Sequence, residues 1–194
     1  MTIEASDAEQ RDRADMARLA AGEDAALNDI MERHGKPVFH FLCRMLANED
    51  DANDLAQETF VRVYRSKNQF RSGAKFTTWL YTIAANLARN HFRWRSRHPN
   101  VPLESENDEP SPADHLASSG LPPNEANLHA ERNAAVQSAV SGLPPDLREA
   151  IVLCEWEEHA VAEAAIILKS TPKAVESRLY RARQILRTKL KQWL

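Results

Sequence analysis

In the stretch "FTTWLYTIAANLARNHFRWR", Trp79, Thr82, Asn86, Arg89 and Arg93 recur at spacings of three and four residues, the interval that lines side chains along one face of a helix. One aromatic ring, a hydroxyl, an amide and two guanidinium groups make neither a core seam nor a plain charged face. They suit an unstacked nucleic-acid strand, in which a base stacks on the ring and bonds to the amide while the phosphates meet arginine. Just ahead lies "KNQFRSGAK", a basic loop that could enclose an extruded base, whose unstacking costs on the order of a few kcal/mol. The block 60–98 carries nine Lys/Arg and no Asp or Glu. A solvated basic face is the competing interpretation, and the absence of any acid over so long a run weighs against it.

A second basic block closes the chain, where residues 169–194 hold eight Lys/Arg against one acid, Glu176. Counted at about 100° per residue from Val175, the residues Leu179, Ala182, Leu186, Leu190 and Trp193 share one face. Lys173, Ser177, Arg181, Gln184 and Thr188 lie opposite, with Arg178 flanking. Before them Val161, Ala164, Ala165 and Leu168 make a shorter apolar helix, and Ala165 is small where a second helix would cross closely. Two helices joined by a tight turn, the second one basic, form a helix-turn-helix pattern, which brings the start of the second helix to base edges in the major groove. Arg and Lys there donate to guanine or to phosphate. A basic amphipathic helix that merely finishes a bundle has the same charges, so this stretch alone leaves both interpretations open.

Acids are concentrated elsewhere. In "DDANDLAQETFVRVY", Asp51, Asp54 and Glu58 share a face with Gln57 beside them, while Leu55, Phe60, Val63 and Tyr64 supply apolar contacts. Such a face repels phosphate and must point away from DNA. The positive end of a helix dipole explains Asp50 and Asp51 better than Glu58. The functional alternative is a docking face for a basic protein partner.

The elements that must position these groups are helices. With 194 residues, 43% of them hydrophobic, and only five glycines, the chain can bury a core, and apolar residues recur at helical rather than alternating spacing. The fold class is all-α. Helices are expected near 8–20, 24–34, 37–47, 50–66 and 76–95, then near 126–140, 146–157, 160–168 and 172–190. In the helix near 76–95, Phe76, Leu80, Ile83, Leu87 and Trp94 form the core face, with the polar stripe as a second face beside it. In "GLPPDLREAIVL" two prolines stand at a helix start, where a missing N–H costs nothing, and Thr171 caps the last helix with Pro172 at its first position. Between the two sets, "HPNVPLESENDEPSPADHLASSGLPPNEAN" is rich in Pro, Ser, Asn and acids and too poor in large apolar residues to offset its ordering entropy. It reads as a flexible acidic linker, 98–127, that divides a domain at 1–97 from a domain at 128–194.

Other classes are disfavoured. No apolar run approaches the roughly 18 residues of a membrane span, and the N-terminal stretch has no apolar core of a signal peptide, so the expectation is a cytoplasmic protein without membrane insertion. Cys43 and Cys154 stand far apart in apolar runs and read as small core residues rather than a disulfide or zinc site. The seven histidines show no metal-ligand spacing, and no nucleophile or phosphate-loop motif occurs. No cofactor, no metal and no enzymatic activity are expected.

Three segments, "DANDLAQETFVRVYRS", "FTTWLYTIAANLARNHFR" and "LPPDLREAIVL…SRLYRAR", in that order, resemble the extracytoplasmic-function sigma factors of bacterial RNA polymerase. The resemblance covers roughly 24–95 and 130–190. It implies that the first domain docks on core RNA polymerase through Asp54, Gln57 and Glu58. It also implies that Asn68, Phe70, Arg71, Lys75, Trp79, Asn86, Arg89 and Arg93 handle the melted −10 strand of promoter DNA, and that Lys173, Ser177, Arg178 and Arg181 meet the −35 duplex. Members of this family are commonly held inactive by an anti-sigma factor. Two residues depart from the pattern: Lys169 stands in the turn where Gly is common, and Glu176 stands before the Ser-Arg pair where a basic residue is common. The rival is an autonomous helix-turn-helix repressor with an N-terminal oligomerisation domain, which would bind its duplex without polymerase.

Overall fold

Helix α2 runs unbroken from Ala26 to Leu46, through Pro37, where two helices separated near residue 35 were expected. Proline inside a helix costs about 3 kcal/mol. Here Ile30, Val38, Phe41, Leu42 and Met45 form one apolar face that is fully buried from end to end, and that burial, on the order of 2 kcal/mol per large side chain, outweighs the break. The computed structural model describes residues 2–71, 73–98 and 123–193. Most of the expected linker, 99–122, lies outside them. Around α2 stand α1 (Thr2–Ala20), α3 (Glu49–Arg65) and α4 (Phe76–Arg97). Helix α3 begins where Asn48 accepts a bond from the Asp51 N–H at 2.8 Å, a cap that satisfies one of the donors orphaned at every helix start.

The second group consists of α5 (Pro123–Ser141), α6 (Pro145–Ile151), α7 (Val161–Ile167) and α8 (Pro172–Lys189). The helix expected over 146–157 changes type: α6 passes into a π-helical turn, Val152–Trp156, closed by a bond from the Glu157 N–H to the Val152 carbonyl at 3.2 Å. The two prolines sit as expected, Pro144 capping and Pro145 opening α6. Helices α7 and α8 make the helix-turn-helix, with Ala164, Ala165, Ile167, Val175, Leu179 and Ala182 buried between them and α6.

The two groups share one continuous apolar core, with α4 laid against α7 and α2 against α5 and the π turn. Polar bonds fasten the same seam. Tyr81 donates its hydroxyl to Glu157 Oε2 at 2.5 Å, and Arg44 pairs with the other oxygen of that carboxylate at 3.3 Å. The buried guanidinium of Arg148 donates across to the Met45 carbonyl at the end of α2, and to the carbonyls of Ser141 and Leu143. Helix α1 is fixed to α2 by carboxylates taken out of water: Asp12, 2% exposed, accepts from Arg33 at 3.1 Å and bonds His34 Nε2 at 2.8 Å. A buried carboxylate requires such partners.

One expected core residue is not in the core. Trp94 is 46% exposed and stacks on His98 with ring centroids 4.9 Å apart, because the last turns of α4 run past the bundle. Phe76, Leu80 and Leu87 are buried as expected, and Ile83 is half-buried.

Candidate nucleic-acid and polymerase interfaces

The α4 stripe begins in an aromatic cluster. Phe70 from the preceding loop lies 5.4 Å from the Trp79 ring and 5.8 Å from Phe76, so half-buried Trp79 anchors the loop rather than standing free. Asn68 and Arg71 of that loop are exposed. Its base is held on one side by Lys67, whose ammonium lies 4.2 Å from the Tyr64 ring centroid. On the other side Phe76, the first residue of α4, donates its N–H to Glu9 Oε1 of α1 at 3.2 Å. Helix α4 has no side-chain cap of its own and no acid in its first turn. A carboxylate from another helix therefore supplies the negative charge that the acid-free block cannot.

Further along, the stripe divides. Thr82 donates to the Thr78 carbonyl at 2.7 Å, and Asn86 is half-buried. Arg89 turns into the seam between the two groups, where its Nη2 donates to the Ile167 carbonyl at 3.0 Å and its Nε lies 3.2 Å from Glu149 Oε1. Lys75 reaches Glu163 of α7, at 2.9 and 3.1 Å from its two oxygens. Arg93, one turn beyond Arg89, stays in solvent and donates to Asn90 on its own helix at 2.9 Å. Burial pushes the Glu149 carboxyl up to about 7, with Arg89 and Arg178 pulling the other way.

On α8 the geometry is more open. Lys173, Ser177 and Arg181 are exposed, and Arg178 is half-buried with its Nε 3.8 Å from Asp146. Thr171 caps the helix, accepting from the Ala174 N–H at 3.2 Å, and Pro172 follows at the first position. The turn before it places Lys169 at φ +50°, the left-handed region that glycine enters at least cost. It is closed by bonds from the Ser170 N–H to the Ala165 carbonyl at 2.9 Å and from the Lys169 N–H to the Ile166 carbonyl at 3.1 Å, the pair of a Schellman motif. Glu176 points into solvent beside these groups.

The acidic helix α3 splits by partner. Asp51 is drawn to α4, with His91 Nε2 at 3.2 Å and Arg95 at 3.6 Å. Asp54 and Gln57 are exposed, and Glu58 accepts from Arg62 at 2.8 Å one turn on. Sequence reasoning had not singled out Glu9, Arg148, Glu149 or Glu163. Arg148 carried a signal, since it is the lone Lys or Arg in 136–168, whereas the others are ordinary acids whose neighbours come from distant segments.

Residues 30–98 match the sigma-70 region 2 family and residues 133–186 match sigma-70 region 4. Over 179 residues the chain is 31% identical to the RNA polymerase sigma-H factor of Pseudomonas aeruginosa, covering 92% of this chain and 93% of that one. Over 181 residues it is 34% identical to the ECF RNA polymerase sigma-E factor of Haemophilus influenzae, covering 92% and 95%. The chain belongs to the extracytoplasmic-function sigma factors. It is an alternative sigma factor, which binds core RNA polymerase and directs promoter-specific transcription initiation. Among solved structures the fold of this sigma factor is similar to CnrH in complex with the cytosolic domain of CnrY, with a TM-score of 0.67 and 27% identity over 94% of this chain and 98% of that one. It is also similar to the sigma factor RpoE in complex with the anti-sigma factor NepR from Bartonella quintana, with a TM-score of 0.67 and 25% identity over 84% and 96%. The sigma family is non-catalytic. Among the described residues no helix is long and apolar enough to cross a membrane.

Proposed function

We propose that this sigma factor divides promoter recognition between α4 and α8, with domains at 1–97 and 128–194 on either side of a linker at 98–127. Asp54, Gln57 and Glu58 of α3 dock on core polymerase. Asn68, Phe70, Arg71, Lys75, Trp79, Asn86, Arg89 and Arg93 receive the melted −10 strand, and Lys173, Ser177, Arg178 and Arg181 read the −35 duplex. The observation that carries this reading is that one chain holds two basic surfaces on different helices, of which only α8 has a helix-turn-helix start facing solvent. Duplex binding needs the α8 geometry. An aromatic, amide and arginine stripe on a second helix suits a strand with exposed bases.

The protein works in the cytoplasm beside polymerase, carries out no catalysis of its own and is held in check by an anti-sigma factor. The last point is supported by the two solved structures described above, each containing a partner, NepR being named as an anti-sigma factor. In vitro transcription with and without core polymerase tests the reading. Promoter-specific transcripts arise only with core, and weak duplex binding is found without it. Tight, specific duplex binding by the protein alone supports the repressor instead. Gln57→Ala with Glu58→Ala weakens core binding by about 1 kcal/mol or more, as loss of an interface anchor does; unchanged core affinity removes α3 from the docking face.

A further inference from the structure

The exposed face of α8 is edged by opposite charges. Counted at about 100° per residue, Lys173, Ser177, Tyr180 and Gln184 lie within about 60° of one another, with Arg181 about 40° beyond Ser177 on one side and Glu176 about 40° beyond Tyr180 on the other. All six are exposed, Tyr180 to 65%. Glu176 is the fifth residue of a helix that has no acid in its first turn, so it stands past the turn in which a carboxylate meets the positive end of the dipole. Among the described residues its carboxylate has no ion-pair or hydrogen-bond partner. Cations of the same helix turn elsewhere, Arg178 to Asp146 at 3.8 Å and Arg183 to Glu155 at 2.5 Å.

An unpaired carboxylate on a face turned to DNA weakens the pull of the surrounding cations on phosphate for every sequence alike. It is compensated only where the DNA offers a donor. In the major groove the donors are the amino groups of cytosine and adenine. A carboxylate only accepts, so it conflicts with guanine, which presents two acceptors, and partly with adenine, whose N7 acceptor adjoins its amino group. Cytosine N4 meets it without conflict. We infer that Glu176 is a specificity-determining residue of the −35 contact, its carboxylate accepting from the N4 amino group of a cytosine and fixing one position of that element as C. The inference rests on the assignment of α8 to the −35 duplex. Arg181, on the opposite edge, donates to guanine or to phosphate, so the two edges of one helix select by opposite means. A good base contact discriminates about five- to 150-fold against the wrong base. Reversing the charge at residue 176 therefore exchanges the base that is chosen there, rather than merely strengthening attraction to the duplex.

The test uses the full chain bound to core polymerase and a duplex library randomised across the −35 segment, upstream of a −10 segment first selected with the wild-type holoenzyme. Wild type is expected to enrich cytosine over guanine at one position by about five- to 150-fold. Glu176→Ala loses that preference, and Glu176→Gln shifts it toward adenine, whose N6 and N7 take an amide. Glu176→Arg moves it to guanine, with the other positions unchanged. The substituted side chain is exposed and unpartnered, so the fold is kept in all three. If every variant enriches the wild-type sequence and affinity only rises equally for all duplexes, the carboxylate does no more than repel phosphate and the inference is overturned. A change spread over all −35 positions overturns it as well, since that marks an altered seating of α8. Arg181→Ala and Ser177→Ala keep the two levels apart. If neither alters the selected −35 sequence, α8 is not its reader and the inference falls with that assignment; if they alter it and the Glu176 variants do not, the assignment stands and Glu176 alone loses its role.

Discussion

Helices α4 and α8 both present arginine-bearing faces, yet they meet the rest of the molecule in opposite ways. On α8, Lys173, Ser177 and Arg181 face solvent at the open end of a helix-turn-helix. On α4, Lys75 and Arg89 are engaged by α6 and α7, and Trp79 packs against Phe70. A ligand can approach the first face as it stands, while two cations of the second are already paired within the chain. Similar residue types therefore have different availability, set by what lies across from them. The same seam explains part of the pairing: Arg89, partly desolvated where α4 meets α7, needs partners, whereas Lys75 pairs with Glu163 at an exposed edge.

The seam depends most on Arg148, whose buried guanidinium serves three carbonyls from α2, α5 and the loop before α6. Arg148→Met leaves those acceptors unpaired at about 1–3 kcal/mol for each buried group. A stability loss of about 3 kcal/mol or more is expected in urea unfolding, together with loosening of α6 from α2. A loss below about 1 kcal/mol shows that the α4 face is held covered by other means.

Glu149 makes the seam sensitive to pH. Its carboxyl is pushed up by burial to about 7 from an ordinary 4.5, so the folded state binds the proton more tightly than the unfolded chain. Its contribution to stability is full below about 4.5 and is lost as pH rises to about 7. Glu149→Gln, fixed neutral, is expected to gain on wild type across that window by about 1–3 kcal/mol, at roughly 1.4 kcal/mol per pH unit. Thermal melts of both proteins at several pH values check this, and a constant difference between them places the ionised carboxylate in a well-solvated or fully paired site.

The next contrast is functional. Arg181→Ala is expected to weaken discrimination of the −35 duplex by the holoenzyme by about 1–3 kcal/mol, the worth of a good base contact, while leaving strand opening unchanged. Arg93→Ala should do the reverse, lowering open-complex formation and sparing duplex affinity. Footprinting paired with permanganate reactivity separates the two. Equal effects of both substitutions on both readouts dissolve the division of labour between α4 and α8.

The smallest effect belongs to the turn that aims α8. Lys169 at φ +50° carries a left-handed penalty of about 1–2 kcal/mol, offset in glycine by about 0.5–1 kcal/mol of extra chain entropy. Lys169→Gly therefore raises stability by up to about 1 kcal/mol in calorimetry without altering −35 preference. A fall in stability assigns the lysine side chain a contact that outweighs its strain.

Helical periodicity made most of the fold legible, including the Thr171 cap, Pro172 and the buried face of α8. It failed where a distant segment decided the outcome. Two helices were expected near 24–34 and 37–47, but burial of a continuous apolar face carries α2 through Pro37, and Trp94 belongs to the α4 core pattern but lies beyond the bundle that would cover it. The aromatic and arginine stripe was visible as a pattern, but the partners of Arg89 and Lys75, 78 and 88 residues away along the chain, were not. Local spacing, helix ends and charge blocks depend on neighbours within a few residues, so the sequence by itself determined the helices, the two basic faces and the helix-turn-helix. Which of those faces is covered depends on groups brought together only by packing α4 against α6 and α7, and the tertiary structure alone decided it.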